Sequence, residues 1–146
     1  GAARDWVARS SRKSVASPVQ VDRDAGIIQF KLIGEVKAEA ILRFGRLYRD
    51  IPRDFHLRGF IWDFRKADLS TYDHREMARV FQSNPADFKL GGLRIATVAL
   101  STVERQLLAL WERQAELYDR NERRSFRDME SASDWVAQNT GGIPPD

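Results

Sequence analysis

Asp63 and Arg65 sit at the end of an apolar run, in Trp62-Asp63-Phe64-Arg65, and Ser70, Thr71 and Tyr72 follow a few positions later. A carboxylate and a guanidinium two residues apart can grip a partner by charge-assisted hydrogen bonds. Hydroxyls just ahead of a helix can carry a phosphate, which would meet the helix N-terminus and the nearby Arg65, Lys66 and His74. Each feature also has a plainer explanation. Asp63 can accept backbone hydrogen bonds from the following loop or pair with Arg65 or Arg94, and Ser70 or Thr71 can simply cap a helix. Both pairs of explanations stay open at this point.

Catalytic chemistry finds little material. There is no cysteine, which excludes thiol nucleophiles, thiolate zinc sites and disulfides. The two histidines, His56 and His74, belong to no spaced metal motif, and Gly91-Gly92 precedes a strand where a phosphate loop would follow one. Asp50 with Asp54, and Asp68 with Asp73, are acids of ordinary turns and helix starts. The expectation is a protein that is not an enzyme and uses no metal or cofactor.

Charge adds a further exclusion. Arg4, Arg9, Arg12 and Lys13 against the single Asp5 account for the whole formal net charge of +3, so the remainder is neutral. Acidic residues interrupt the Arg120, Arg123, Arg124 and Arg127 group, which reads as a solvated mixed-charge surface, and no nucleic-acid partner is expected. No apolar run approaches the length of a transmembrane helix and no signal core opens the chain, so a cytoplasmic location is expected.

The elements that must position these residues follow from periodicity. With 146 residues, one domain is expected. Residues 1–18 read as a flexible basic tail with Trp6 and Val7 as an apolar anchor, 19–138 as the α/β domain, and 139–146 as a flexible C-terminal tail. Val19 to Val21 and Ile27 to Ile33 form two antiparallel strands around an Asp/Gly-rich turn. Val36, Ala40, Phe44, Leu47 and Ile51 recur at helical spacing and stop by Pro52. Leu57 to Phe64 and Leu93 to Leu100 are apolar on both faces, as central parallel strands are.

A second helix, capped by Ser70 or Thr71, carries Met77, Val80 and Phe81 and ends at Asn84-Pro85. Ser101 and Glu104 have capping-box spacing, and Val103, Leu107, Leu110, Trp111 and Tyr118 continue as one apolar face. A short strand at Arg124 to Phe126 and a helix capped by Asp128, burying Ala132, Trp135 and Val136, complete the order β-β-α-β-α-β-α-β-α. That order implies a mainly parallel sheet of four to five strands with an N-terminal antiparallel hairpin strand.

From about Val19 to Val136 the chain resembles the STAS/SpoIIAA-like superfamily, on two short signatures. One is Trp62-Asp63-Phe64-Arg65; the other is Phe126-Arg127-Asp128 leading through Ser131 and Ala132 to Trp135. The resemblance implies four helices packed largely on one face of the sheet, and a regulatory or protein-interaction role without catalysis. In the best-understood members a serine within an Asp-Ser-Ser-Gly type motif is phosphorylated. Here Asp68-Leu69-Ser70-Thr71-Tyr72 has no glycine after its hydroxyls, so Ser70 and Thr71 are candidate phosphoacceptors by position only.

Ligands of open α/β sheets gather beyond the carboxyl ends of central strands. Asp63, Arg65, Ser70, Thr71 and Tyr72 are therefore the expected partner- or ligand-binding residues. A protein partner is expected, with a homodimer contact or a small apolar ligand or lipid as alternatives; the last needs a cavity lined by residues such as Trp62, Phe81, Leu107 and Trp111.

Overall fold

The computed structural model describes residues 18–83 and 91–146. The expected basic tail, the Trp6-Val7 anchor and the Asn84-Pro85 helix stop lie outside the described residues. The strands are β1 (Val19–Asp22), β2 (Ile27–Glu35), β3 (Gly59–Asp68), β4 (Arg94–Val98) and β5 (Glu122–Phe126). The helices are α1 (Ala38–Arg49), α2 (His74–Ser83), α3 (Thr102–Ala115) and α4 (Met129–Ala137). The sheet runs in the order β1-β2-β3-β4-β5, with β1 antiparallel to β2 and every other pair parallel. The expected α/β class, the opening antiparallel pair and the central position of β3 are all present.

Alternation along the strands builds two cores, because successive side chains of a strand point to opposite faces. Ile28, Phe30, Leu32, Trp62 and Phe64 face α1, α2 and α3. Ile27, Ile61, Ala96 and Val98 face Ala132 and Val136 of α4. Trp62 is the hub of the larger core, with ring centroids 4.6 Å from Phe30, 5.9 Å from Phe44 and 6.2 Å from Trp111. Burying each such ring contributes about 1.5–3 kcal/mol. Gly59 has no Cβ because the backbone of Arg94 and the side chain of Val136 occupy its place.

Three sequence expectations need correction. The α3 stripe was read as buried, yet Val103 and Leu110 are exposed, and Leu108 and Ala115 are the residues in the core. Side chains 100° apart around the axis put Leu108 and Leu110 on nearly opposite sides, and the sheet takes the Leu108 side. The second helix is capped neither by Ser70 nor by Thr71: Asp73 Oδ1 accepts from the N–H groups of Arg75 (3.0 Å) and Glu76 (3.1 Å), since Tyr72 turns inward and delays the helix start.

Residues 139–146, expected as a flexible tail, are tied down by hydrogen bonds. Ile143 and Leu57 exchange backbone hydrogen bonds of 2.8 Å, and the Asp146 N–H donates to Arg53 O. Buried Asn139 fastens this end of the chain. Its Nδ2 donates to Arg58 O (2.8 Å) and Gly92 O (2.9 Å), and its Oδ1 accepts from the Gly141 N–H (3.0 Å). A lone polar residue after a helix gave no periodic signal from which this could be read.

Candidate functional site

At the carboxyl end of β3 the ladder changes step. Lys31 pairs with Asp63 but Ile33 pairs with Lys66, so Phe64 and Arg65 of β3 oppose the single Leu32 of β2. This is a bulge, which removes a backbone N–H from regular pairing. Asp63 takes it up: its Oδ1 accepts from the Arg65 N–H (3.1 Å), while Arg65 Nε and Nη2 donate to Oδ1 (2.9 Å) and Oδ2 (3.0 Å). Asp63 is 1% exposed. Burial pushes its carboxyl up, but the hydrogen bonds and charge of Arg65, with help from Lys31, outweigh burial and hold it below the ordinary value.

The five expected site residues are therefore not equivalent. Asp63 is a buried clamp on its own strand. Arg65 is exposed but engaged by Asp63. Tyr72, expected at the surface, is 2% exposed and lies edge-on to Trp111 at 6.1 Å. Its ring fills the space between β3 and α3, which corrects its reading as a contact residue. Ser70 and Thr71 are exposed among acids: Asp68 Oδ1 accepts from the Ser70 N–H (2.9 Å), and the Thr71 hydroxyl donates to Glu35 Oε1 (2.8 Å). Asp73 caps the adjoining helix. Glu35 is itself paired with Lys37 Nζ (3.2 Å), and Arg65 is engaged by Asp63.

Asp63 lines neither the apolar cavity between sheet and helices nor the open hollow between β1, β2 and α4. The apolar cavity lies near the amino ends of the strands, between the sheet and α1, α2 and α3, lined by Phe30, Tyr48, Phe60, Trp62, Phe81 and Trp111. Trp62, Phe81 and Trp111 were expected there; Leu107 is not part of the lining. Its volume of about 70 Å³ falls well short of the roughly 300–1,000 Å³ of small-molecule sites. The Tyr48 hydroxyl and Trp111 Nε1 are buried without a protein partner, which suits ordered water in a small cavity.

At the cavity wall Glu112 Oε1 accepts from the hydroxyls of Ser125 (2.8 Å) and Thr97 (3.2 Å). Burial pushes the Glu112 carboxyl up, opposed by those hydroxyls and by Arg123. The folded protein therefore holds this proton more tightly than the unfolded chain, and stability falls as pH rises through the window above the ordinary carboxylate value. Glu112→Gln keeps an acceptor for both hydroxyls and removes the buried charge. It should raise stability at pH 7 by up to about 1 kcal/mol and flatten the profile between pH 4 and 7, as read by urea unfolding across that range. Unchanged pH dependence would count against a buried charge there.

The feature that sequence reasoning placed on the wrong side is the outer face of α3. Val103 is 75% exposed, Leu110 57% and Leu117 79%, and Leu100 just before the helix is 62% exposed. The seven-residue spacing of Val103, Leu110 and Leu117 was the available signal. Among the described residues, no group of three or more His, Cys, Asp or Glu side chains could hold a metal ion. No helix among them is long and apolar enough to cross a membrane.

No protein-family model matches the chain. No curated protein matches it either. Among solved structures it is similar to an uncharacterised protein of the DUF3478 family from Shewanella loihica PV-4, described as having a SpoIIAA-like fold. The two are 18% identical with a TM-score of 0.50, and the match covers 81% of this chain and 90% of that one. Agreement over most of both chains, together with the five-stranded order and its single antiparallel edge, establishes that the chain has a SpoIIAA-like α/β fold.

Proposed function

We propose that this chain is a non-catalytic regulatory domain of the STAS type that acts in the cytoplasm by docking a protein partner. The observation that carries this reading is the outer face of α3, where Val103 and Leu110 stand in water, with Leu117 exposed at the same spacing in the turn just beyond the helix. Isolated apolar side chains on a surface are ordinary, but three large ones exposed at one regular spacing favour an interface. Ser70 and Thr71 fit a modulating role better than a docking role. A phosphate on Thr71 would break the Thr71–Glu35 bond and set its charge against Glu35, and one on Ser70 would stand beside Asp68, so either would act by repulsion.

Site-specific photocrosslinking in cells tests the reading. A photoreactive residue at Val103 or Leu117 should give discrete protein adducts, and the same probe at exposed Asp24 should give none. Absence of adducts from both α3 positions would sink the proposal. The alternative is a small apolar ligand or lipid in the cavity, which the unpartnered Tyr48 and Trp111 donors favour and the small volume opposes. Native mass spectrometry of the purified chain decides it by the presence or absence of a co-purified mass.

A further inference from the structure

We infer that the open hollow between β1, β2 and α4 is the seat of this chain's own basic N-terminal segment, with Trp6 as the side chain that fills it; the inference is independent of any partner on α3. The first argument is coverage. One face of the sheet carries three helices, whereas α4 covers the other, where Ala132 and Val136 pack on Ile27, Ile61, Ala96 and Val98. Side chains two apart on a strand share a face, so Gln29 stands on the α4 side with Ile27, and Gln20 lies directly opposite it on β1. The space left there is about 340 Å³, at the lower end of the roughly 300–1,000 Å³ of binding sites.

The second argument is chemistry. Val21, Ala25, Ile27, Ile61 and Ala137 give the hollow an apolar lining, and Gln20, Gln29, Asp22 and Asp134 give it a polar one. Among the described residues neither carboxamide has a side-chain hydrogen bond and neither carboxylate an ion pair; Asp22 Oδ1 accepts from the Ala25 N–H (3.0 Å) of its own turn. The lining includes no cation. An indole matches this surface, with an apolar ring for the floor and one N–H for a carboxamide oxygen. In the sequence Trp6 and Val7 stand among Arg4, Arg9, Arg12 and Lys13, against the single Asp5. The segment thus supplies the cations that Asp22 and Asp134 lack.

The third argument is where the chain enters. Pro18 O accepts from the Lys31 N–H (2.9 Å), one step past the Val19–Phe30 pair. The segment therefore joins β1 two residues from Gln20, at the rim of the hollow. Fully extended, the stretch from Trp6 to Pro18 reaches about 40 Å, more than the roughly 20 Å across five strands. Ser10, Ser11, Ser14 and Ser17 are residues suited to the reversal that brings Trp6 back over the sheet. Tethering sets an effective concentration of about millimolar order, so a contact too weak to join separate molecules holds here.

Limited proteolysis of the full chain tests the seat. Trypsin should cut after Arg9, Arg12 and Lys13 about tenfold faster in Trp6→Ser than in the parent, since cleavage tracks the undocked fraction. Asp134→Lys, on an exposed side chain, should also speed these cuts, and added salt should bring the parent closer to both variants. The absence of cysteine lets the position be read directly. Under mild oxidation Ala8→Cys should close a disulfide within one molecule with Ala137→Cys, which lines the hollow. Closure should be at least about tenfold faster than with Gln106→Cys, exposed on α3 across the sheet. Equal cleavage of the parent and Trp6→Ser, equal closure of the two cysteine pairs, or disulfide-linked dimers in place of the closed monomer would overturn the inference. The dimers would give the hollow to the segment of a second copy.

Discussion

Asp63→Ala should lower the unfolding free energy by about 3 kcal/mol, within the range for breaking a buried charged hydrogen-bond group. The substitution removes three hydrogen bonds at once and leaves the bulge N–H of Arg65 without its acceptor. Arg65→Ala should cost less, since the guanidinium is partly in water and the backbone N–H still reaches the carboxylate.

The same clamp sets a pH dependence opposite in sign to that of Glu112. The folded-state acidity of Asp63 lies below its unfolded value, so its contribution is complete above the unfolded value. It is lost as pH falls through the folded one. Chemical unfolding of the parent and Asp63→Asn between pH 2 and 7 should show the two curves converging at the acid end. A constant gap would mean that ionisation of Asp63 plays no part.

Gly59→Ala should be at least as damaging, with a loss of about 3 kcal/mol or more. A Cβ at position 59 would fall 1.8 Å from Arg94 O and 2.7 Å from a methyl of Val136. The first neighbour is backbone at the start of the β3–β4 ladder, so it cannot rotate away, and relief requires prising the two central strands apart or lifting α4. Gly91→Ala is the matched control, because nothing lies within 4 Å of a Cβ there. Thermal unfolding of the two variants side by side should separate them by many degrees; equal midpoints would refute the close approach.

The sheet was legible because its signals are strong and local. Runs such as Phe60-Ile61-Trp62 and Ile95-Ala96-Thr97-Val98 cannot satisfy both faces except between two layers, and Ser101 and Asp128 mark their helix starts with side chains that do cap them. The site was less legible, for two physical reasons. An apolar residue on a helix reports hydrophobicity but not which side of the helix the sheet will take, so Val103 and Leu110 were assigned to the core occupied by Leu108 and Ala115. Polar residues report capacity to bond but not where the backbone will need them. Asp63 and Asn139 look alike in sequence to solvent-facing polar residues, yet each satisfies main-chain groups that only the bulge and the docked chain end create.

The Asp63–Arg65 fork carries a consequence for selectivity at the sheet's carboxyl edge. Any anionic visitor that wants the guanidinium must evict a carboxylate anchored to the main chain of the same strand, so a lone weak acid gains nothing by the exchange. Only a ligand that also accepts from the Arg65 amide, or brings its own cation for Asp63, could compete on equal terms. The arginine most conspicuous in the sequence is thus a guarded position, held by its own strand.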